Sequence, residues 1–240
     1  MNKPRILIIG DIHGCYDELL DLLDEIHFGD QDRAIAVGDL ISKGPKNKEV
    51  LDLFISDRRF SSVLGNHDYY AGAAAWSVKF EALGVRLLRN THVTIERGSA
   101  RLLIGGVIDF AARLDDPQAR PRPDLATNGD GAAFRLLLAH NPKIAPLAEK
   151  AGFDLQLSGH THGGQFFPWT LAVRYVHAPH AAGLSRRRRM WVYVSAGTGT
   201  WGPPVRFGTT PELTVLRLVR APVASQPATP ASALSQSRAV

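Results

Sequence analysis

One cysteine, Cys15, stands among 240 residues, which excludes an intramolecular disulfide and permits a reducing compartment. The uninterrupted apolar runs are short, for example Ile6-Leu7-Ile8-Ile9 and Leu136-Leu137-Leu138-Ala139. Both fall far below the roughly 18 residues of a membrane helix. Met1-Asn2-Lys3-Pro4 leads straight into the first of these runs, without the charged, apolar and small-residue regions of an export signal. A cytoplasmic protein is expected. Charge of one sign is also scarce: Lys plus Arg is 28, Asp plus Glu is 23, and the net +5 would be +1 without Arg186 to Arg189. Those four arginines read first as a solvated loop and second as contact with an anionic substrate or the periphery of a membrane. No dedicated nucleic-acid-binding module is visible. A content of 45% hydrophobic and 21% charged residues rules out a wholly disordered chain.

What is present is organised. The buried-strand pattern Arg5 to Ile9 is followed by helical spacing over Tyr16 to Phe28. The apolar run Ala34 to Val37 is followed by a helix face over Lys48 to Ser56, and Ser61 to Leu64 gives a third strand. Strand, helix, strand, helix, strand predicts parallel βαβ units. Val85 to Leu88, His92 to Glu96 and Arg101 to Ile108 read as a meander, and Asp115 to Asp130 as an exposed connection. Strand patterns resume at Arg135 to Ala139, Asp154 to Leu157, Met190 to Val194 and Leu213 to Leu218, with a helix between Ile144 and Ala151. The expected fold is a mixed α/β sandwich of two sheets with helices outside both. It fills residues 1–220, before an Ala/Pro/Ser-rich tail, 221–240, expected to be disordered.

Five short motifs each follow a strand pattern: Asp11-Ile12-His13, Gly38-Asp39, Gly65-Asn66-His67-Asp68, His140-Asn141 and Gly159-His160-Thr161-His162. Loops from the C-terminal ends of parallel strands converge, so these residues should meet. Oxygen from Asp and Asn with imidazole and no thiolate suits Mn, Fe or Zn. Asp11, His13, Asp39, Asn66, His140, His160 and His162 are too many donors for one ion. Two divalent ions ~3.5–4 Å apart, bridged by a carboxylate and a hydroxide, would use them all and would clamp a phosphoryl oxygen. The competing structural use of Asp11 and Asp39 is as helix N-caps after βα turns. For Cys15 it is simple packing.

These five motifs in this order resemble the calcineurin-like metallophosphoesterases, over about Arg5 to Leu218. The resemblance implies a four-layer αββα sandwich. It implies one metal held by Asp11, His13 and His162, a second by Asn66, His140 and His160, and Asp39 shared. It also implies that His67 protonates the leaving oxygen or contacts the phosphate, with Asp68 orienting it. Gly10 to Cys15 and Gly38 to Pro45 resemble the phosphoprotein phosphatase and diadenosine tetraphosphatase branch, except that Ser42-Lys43-Gly44 stands where that branch commonly has Asp-Arg-Gly. Lys43 then replaces a bidentate arginine by a point charge. The later motifs, Leu155 to Gln165 and Tyr193 to Pro204, resemble bacterial membrane-associated phosphodiesterases. Arg206, within the glycine-rich segment Gly197 to Gly208, is a second candidate for phosphate contact. Trp169 and Phe166-Phe167 read as core packing before they read as a wall for a lipid-like or base moiety. The first functional expectation is a phosphodiesterase or pyrophosphohydrolase on a nucleotide or lipid-linked substrate. A phosphomonoesterase of the protein-phosphatase kind and a non-catalytic scaffold are the alternatives.

Overall fold

The computed structural model describes residues 5–82, 87–127, 131–218 and 234–238. Two sheets face each other. The first has the order β11-β10-β1-β2-β3, with β1 Ile6–Ile9, β2 Arg33–Ala36, β3 Phe60–Ser62, β10 Leu213–Leu218 and β11 Leu234–Arg238. The second has the order β4-β5-β6-β7-β9-β8, with β4 Thr91–Arg97, β5 Ala100–Gly106, β6 Phe134–Leu138, β7 Leu155–Ser158, β8 Gly183–Arg187 and β9 Met190–Val194. The pairs β1–β2, β2–β3, β5–β6, β6–β7 and β7–β9 are parallel. The pairs β1–β10, β10–β11, β4–β5 and β8–β9 are antiparallel.

The layers follow from side-chain alternation. Ile8 and Ile35 point to one face and meet Leu136, Leu138, Leu155 and Leu157 of the other sheet, forming the central core. Leu7, Ile9, Ala34 and Ala36 point the other way, onto α1 (Tyr16–Glu25) and α2 (Asn47–Ser56). Leu19 and Leu23, four residues apart, give α1 its buried stripe. On the outer face of the second sheet, Leu103, Leu137 and Val192 pack against Ala145 and Ala148 of α5 (Ala145–Lys150). This is the expected αββα sandwich. Strands buried on both faces cannot slide, so the loops at their ends are held in fixed places.

The structure differs from the sequence reading at several points. Val85 and Arg86 lie outside the described residues, and Leu87 and Leu88 are not in a strand. Within the connection read as exposed, Pro121, Pro123 and Ala126 are buried. Of the tail, 221–233 and 239–240 lie outside the described residues, and Leu234–Arg238 is a strand on β10, whose edge offers it backbone partners. The short helices α3 (Asn66–Tyr70) and α4 (Ala73–Ala82) follow β3. Tyr69 is buried but Tyr70 is 62% exposed. A sixth helix, α6 (Trp169–Val176), has no buried residue, and Phe167 and Trp169 are exposed rather than packed in the core.

The arginine run is a hairpin rather than a loop. Arg186 and Arg187 lie in β8 opposite Trp191 and Met190, because pairing with β9 overrides the poor strand propensity of the charges. Val194, at the other end of β9, lies beside Ser158, so the run sits at the end of the sheet away from the motif loops. Arg187 and Arg188 both pair with Glu149, each at 3.5 Å. Among the described residues no helix is long and apolar enough to cross a membrane.

Candidate metal centre

Five parallel strands deliver the motif residues to one edge. Asp11 and His13 follow β1, Asp39 follows β2, Asn66 opens α3 after β3, His140 follows β6, and His160 and His162 follow β7. All seven expected donors come together there. Their loops are wired by main chain: the Asp39 carbonyl accepts from the N–H groups of Ile12 and His13 at 3.0 and 2.9 Å. The His160 N–H donates to Asp11 Oδ2 at 2.9 Å, and the His67 N–H to Asp39 Oδ1 at 2.9 Å. The backbone is bent to do this. His13, Asp39, His160 and His162 have φ of 53, 55, 72 and 50°, a left-handed conformation that costs a side-chain-bearing residue about 1 kcal/mol or more.

The glycines before Asn66 and His160 have a direct reason. A Cβ on Gly65 would overlap Asp39 Oδ1, and one on Gly159 would overlap Asp11 Oδ1. The two carboxylates therefore lie against bare main chain of the neighbouring loop.

The side-chain donors gather in two adjoining groups. The Nδ1–H of His140 donates to the Val37 carbonyl at 2.9 Å, and that of His13 to the Ile41 carbonyl at 3.3 Å. Each leaves a lone pair at Nε2 pointing inward. His13 Nε2 lies 3.1 Å from His162 Nε2, which is 2.9 Å from Asp11 Oδ2. Asn66 Oδ1 is 2.8 Å from both His140 Nε2 and His160 Nδ1. Between these groups, Asp39 Oδ2 lies 3.3 Å from His140 Nε2 and 3.7 Å from His13 Nε2. Lone pairs crowded on one another in this way are relieved by a shared positive charge.

Electrostatics points the same way. Burial would lower the His140 imidazole, but the carboxylates of Asp39 and Asp11 outweigh it and hold it well above its ordinary range. Burial would raise Asp11 and Asp39, but the facing imidazoles, chiefly His162 and His140 for Asp11 and His140 for Asp39, hold both below the usual carboxylate range. Burial pushes His13 down to about 4 and His160 to about 3, which keeps both rings neutral, each with one nitrogen free to donate a lone pair. Two buried carboxylates surrounded by imidazole and amide oxygen make a donor set for divalent metal ions.

Two expected roles are placed differently. Asp68 does not touch the His67 ring. It occupies the third position of α3, so its carboxylate folds back on the helix start and accepts the N–H groups of Asp39, Leu40 and Gly65 at 2.9, 3.2 and 2.8 Å. Arg206 is turned inward. Its guanidinium donates to the carbonyls of Ala196 (2.8 Å), Gly197 (3.2 Å), Gly199 and Thr210, and burial pulls its pKa down to about 10. It laces the glycine-rich segment instead of facing a phosphate. Gln165 completes that lacing through Trp201, Pro203 and Val205. Lys43 does remain at the rim, exposed, with its charge acting on His67. Cys15 is buried beside Gly199 and its thiol is pushed up by burial, in keeping with packing.

The structure adds neighbours that motif reading did not single out. Ser42 Oγ lies 3.3 Å from His67 Nδ1, and the Tyr70 ring stands edge-on to His67 at 5.3 Å. On the opposite flank, His177 meets the His160 ring edge-on at 5.5 Å. The departure at Ser42-Lys43-Gly44 is a signal for the first; for His177 the sequence offers only its place before the basic run.

The sandwich and the donors at its strand ends together define the class. Residues 4–164 match the model of the calcineurin-like phosphoesterase family, and the chain belongs to that family. An uncharacterized metallophosphoesterase of Campylobacter jejuni is 32% identical over 234 residues, 89% of this chain and 59% of that protein. The symmetrical bis(5'-nucleosyl)-tetraphosphatase of Nitrosococcus oceani is 49% identical over 72 residues, 29% of this chain and 26% of that protein. Among solved structures, the calcineurin-like phosphoesterase YfkN from Bacillus subtilis superposes with a TM-score of 0.56 at 16% identity, covering 97% of this chain and 87% of that one. The chain spans about six-tenths of the length of the first curated relatives it matches.

Proposed function

We propose that the chain hydrolyses phosphodiester or pyrophosphate bonds at a centre of two divalent cations. Asp11, His13 and His162 would hold one, Asn66, His140 and His160 the other, and Asp39 both. The observation that carries this is the position of Asp39 Oδ2, within 3.7 Å of nitrogens from both groups. When bound, such cations lower the pKa of a shared water and neutralise charge on phosphoryl oxygens. Mn, Fe or Zn suits the donors. The protein does the rest. His13 and His140 are pinned by carbonyls so that Nε2 faces inward, and Asp68 ties the loops of Asp39 and Gly65 together. His67 presents its ring beside the donors for a hydrogen bond to the phosphate or leaving oxygen. Lys43 adds one positive charge at the rim.

Two observations support a diester or pyrophosphate over a monoester. With Arg206 turned to the main chain, no arginine fork is offered to a dianionic phosphate at this rim among the described residues. Exposed rings of Phe167 and Phe207 line an open cavity of about 730 Å³ behind the His162 loop, room for an apolar or base-bearing substituent. The name of the tetraphosphatase relative agrees with the pyrophosphate branch of this reading. The test is hydrolysis of bis(p-nitrophenyl) phosphate and p-nitrophenyl phosphate with manganese, after metal analysis. Faster turnover of the diester is expected; inactivity toward both by metal-loaded protein refutes the reading.

A further inference from the structure

The seven donors are held by carbonyls, carboxylates and one another, but the His67 ring is held by a different device. Ser42 Oγ lies 3.3 Å from its Nδ1. The Ser42 backbone has φ 120°, open to glycine and strained for any side chain. Asn47 maintains that strain: its Oδ1 accepts the Ser42 N–H at 2.8 Å, and its Nδ2 donates to the Gly44 carbonyl at 3.2 Å. Gly14 makes room, since a Cβ there would overlap Asn47 Oδ1. His13, edge-on at 4.8 Å, and Tyr70 at 5.3 Å flank the ring. Asp68, its neighbour in sequence, is committed to three backbone N–H groups.

We infer that Ser42 is a positioning residue whose hydroxyl donates to His67 Nδ1, fixing the ring as the neutral Nε2–H tautomer. A carboxylate partner can only accept, so it would keep the proton on Nδ1 and leave a neutral ring with a lone pair at Nε2. A hydroxyl can donate, and among the described residues Ser42 Oγ meets no partner but His67 Nδ1. His67 then serves as an uncharged hydrogen-bond donor to a phosphate oxygen. No proton leaves the ring, and what the contact supplies is stabilisation of developing negative charge. The kinetic arm of the test rests on the phosphoester-hydrolase reading; the spectroscopic arm does not.

The test takes zinc-loaded protein labelled with ¹⁵N-histidine, with His67 assigned through His67→Gln. Two-bond ¹H–¹⁵N spectra of the wild type should show the proton on Nε2, and Ser42→Ala should mix the tautomers. A wild-type proton on Nδ1 overturns the inference whatever the activity. In parallel, Ser42→Ala should lower kcat on the manganese-assayed diester about tenfold with KM and metal content unchanged. Ser42→Thr, which keeps the hydroxyl, should return to within about threefold of wild type. Ser42→Asp should stay as low as the alanine variant. Rescue by aspartate, or failure of rescue by threonine in a metal-replete protein, contradicts the assignment. If the wild type hydrolyses no phosphoester, the proposed function fails while the spectrum still decides the tautomer.

Discussion

Replacing Asp39 by asparagine removes one negative charge from the centre while keeping the side chain's shape. Oδ1 accepts the His67 N–H at 2.9 Å, and Oδ2 faces His140 Nε2 at 3.3 Å and His13 Nε2 at 3.7 Å. In Asp39→Asn the amide oxygen can retain the first contact, which turns the NH₂ group toward the two imidazole nitrogens. No carboxylate would then stand between the two proposed cations. Unpairing a buried charge costs about 3–5 kcal/mol, so affinity for the second manganese should fall by two to three orders of magnitude. The Asp39 carbonyl still accepts from Ile12 and His13, so the far-UV circular dichroism should be unchanged. The assay is metal stoichiometry by mass spectrometry, with diester turnover across a manganese titration. An Asp39→Asn protein that keeps two metals and full turnover would refute the reasoning.

Other outcomes rest on particular contacts. Asp68→Ala strands three buried N–H groups and should destabilise the protein by about 3 kcal/mol or more in chemical denaturation; an unchanged midpoint would show that the carboxylate is not the clamp. Gly159→Ala places a Cβ on Asp11 Oδ1 and should cost most of the bound metal, whereas Gly202→Ala, with open space around it, should cost none; equal metal contents would count against the loop contact. Asp32 is held below the usual carboxylate range by hydrogen bonds from the Arg5 guanidinium, with its own burial opposing. Because its folded pKa is depressed, its stabilisation is complete above the unfolded value and is lost as pH falls through the folded one. Asp32→Ala should therefore cost about 1–2 kcal/mol at pH 7 and progressively less below about pH 4. A deficit independent of pH would place its origin in packing.

Much of the centre was legible in the sequence because its donors sit at strand ends. A run such as Ile6 to Ile9 predicts a strand buried on both faces, and the residues just after such a strand must emerge at a sheet edge. The direction of a side chain was not legible. Asp68 comes directly after His67, yet the turn of α3 aims it at its own helix start, away from the ring. Arg206 lies in a glycine- and proline-rich segment that reads as a surface loop, yet main-chain carbonyls supply it with acceptors. The strand β8 was hidden because four arginines suggest solvent, while pairing is decided by the β9 partner. The helix α6 was missed because its start carries no side-chain cap and none of its residues is buried in a core.

The contact of two carboxylates with glycine main chain has a further consequence. At Gly65 and Gly159 the wall of the centre is peptide, a material no substitution elsewhere can trim or enlarge. A substitution at Ser42, Lys43, Tyr70 or His177 alters side chains at the rim and leaves that peptide wall as it is.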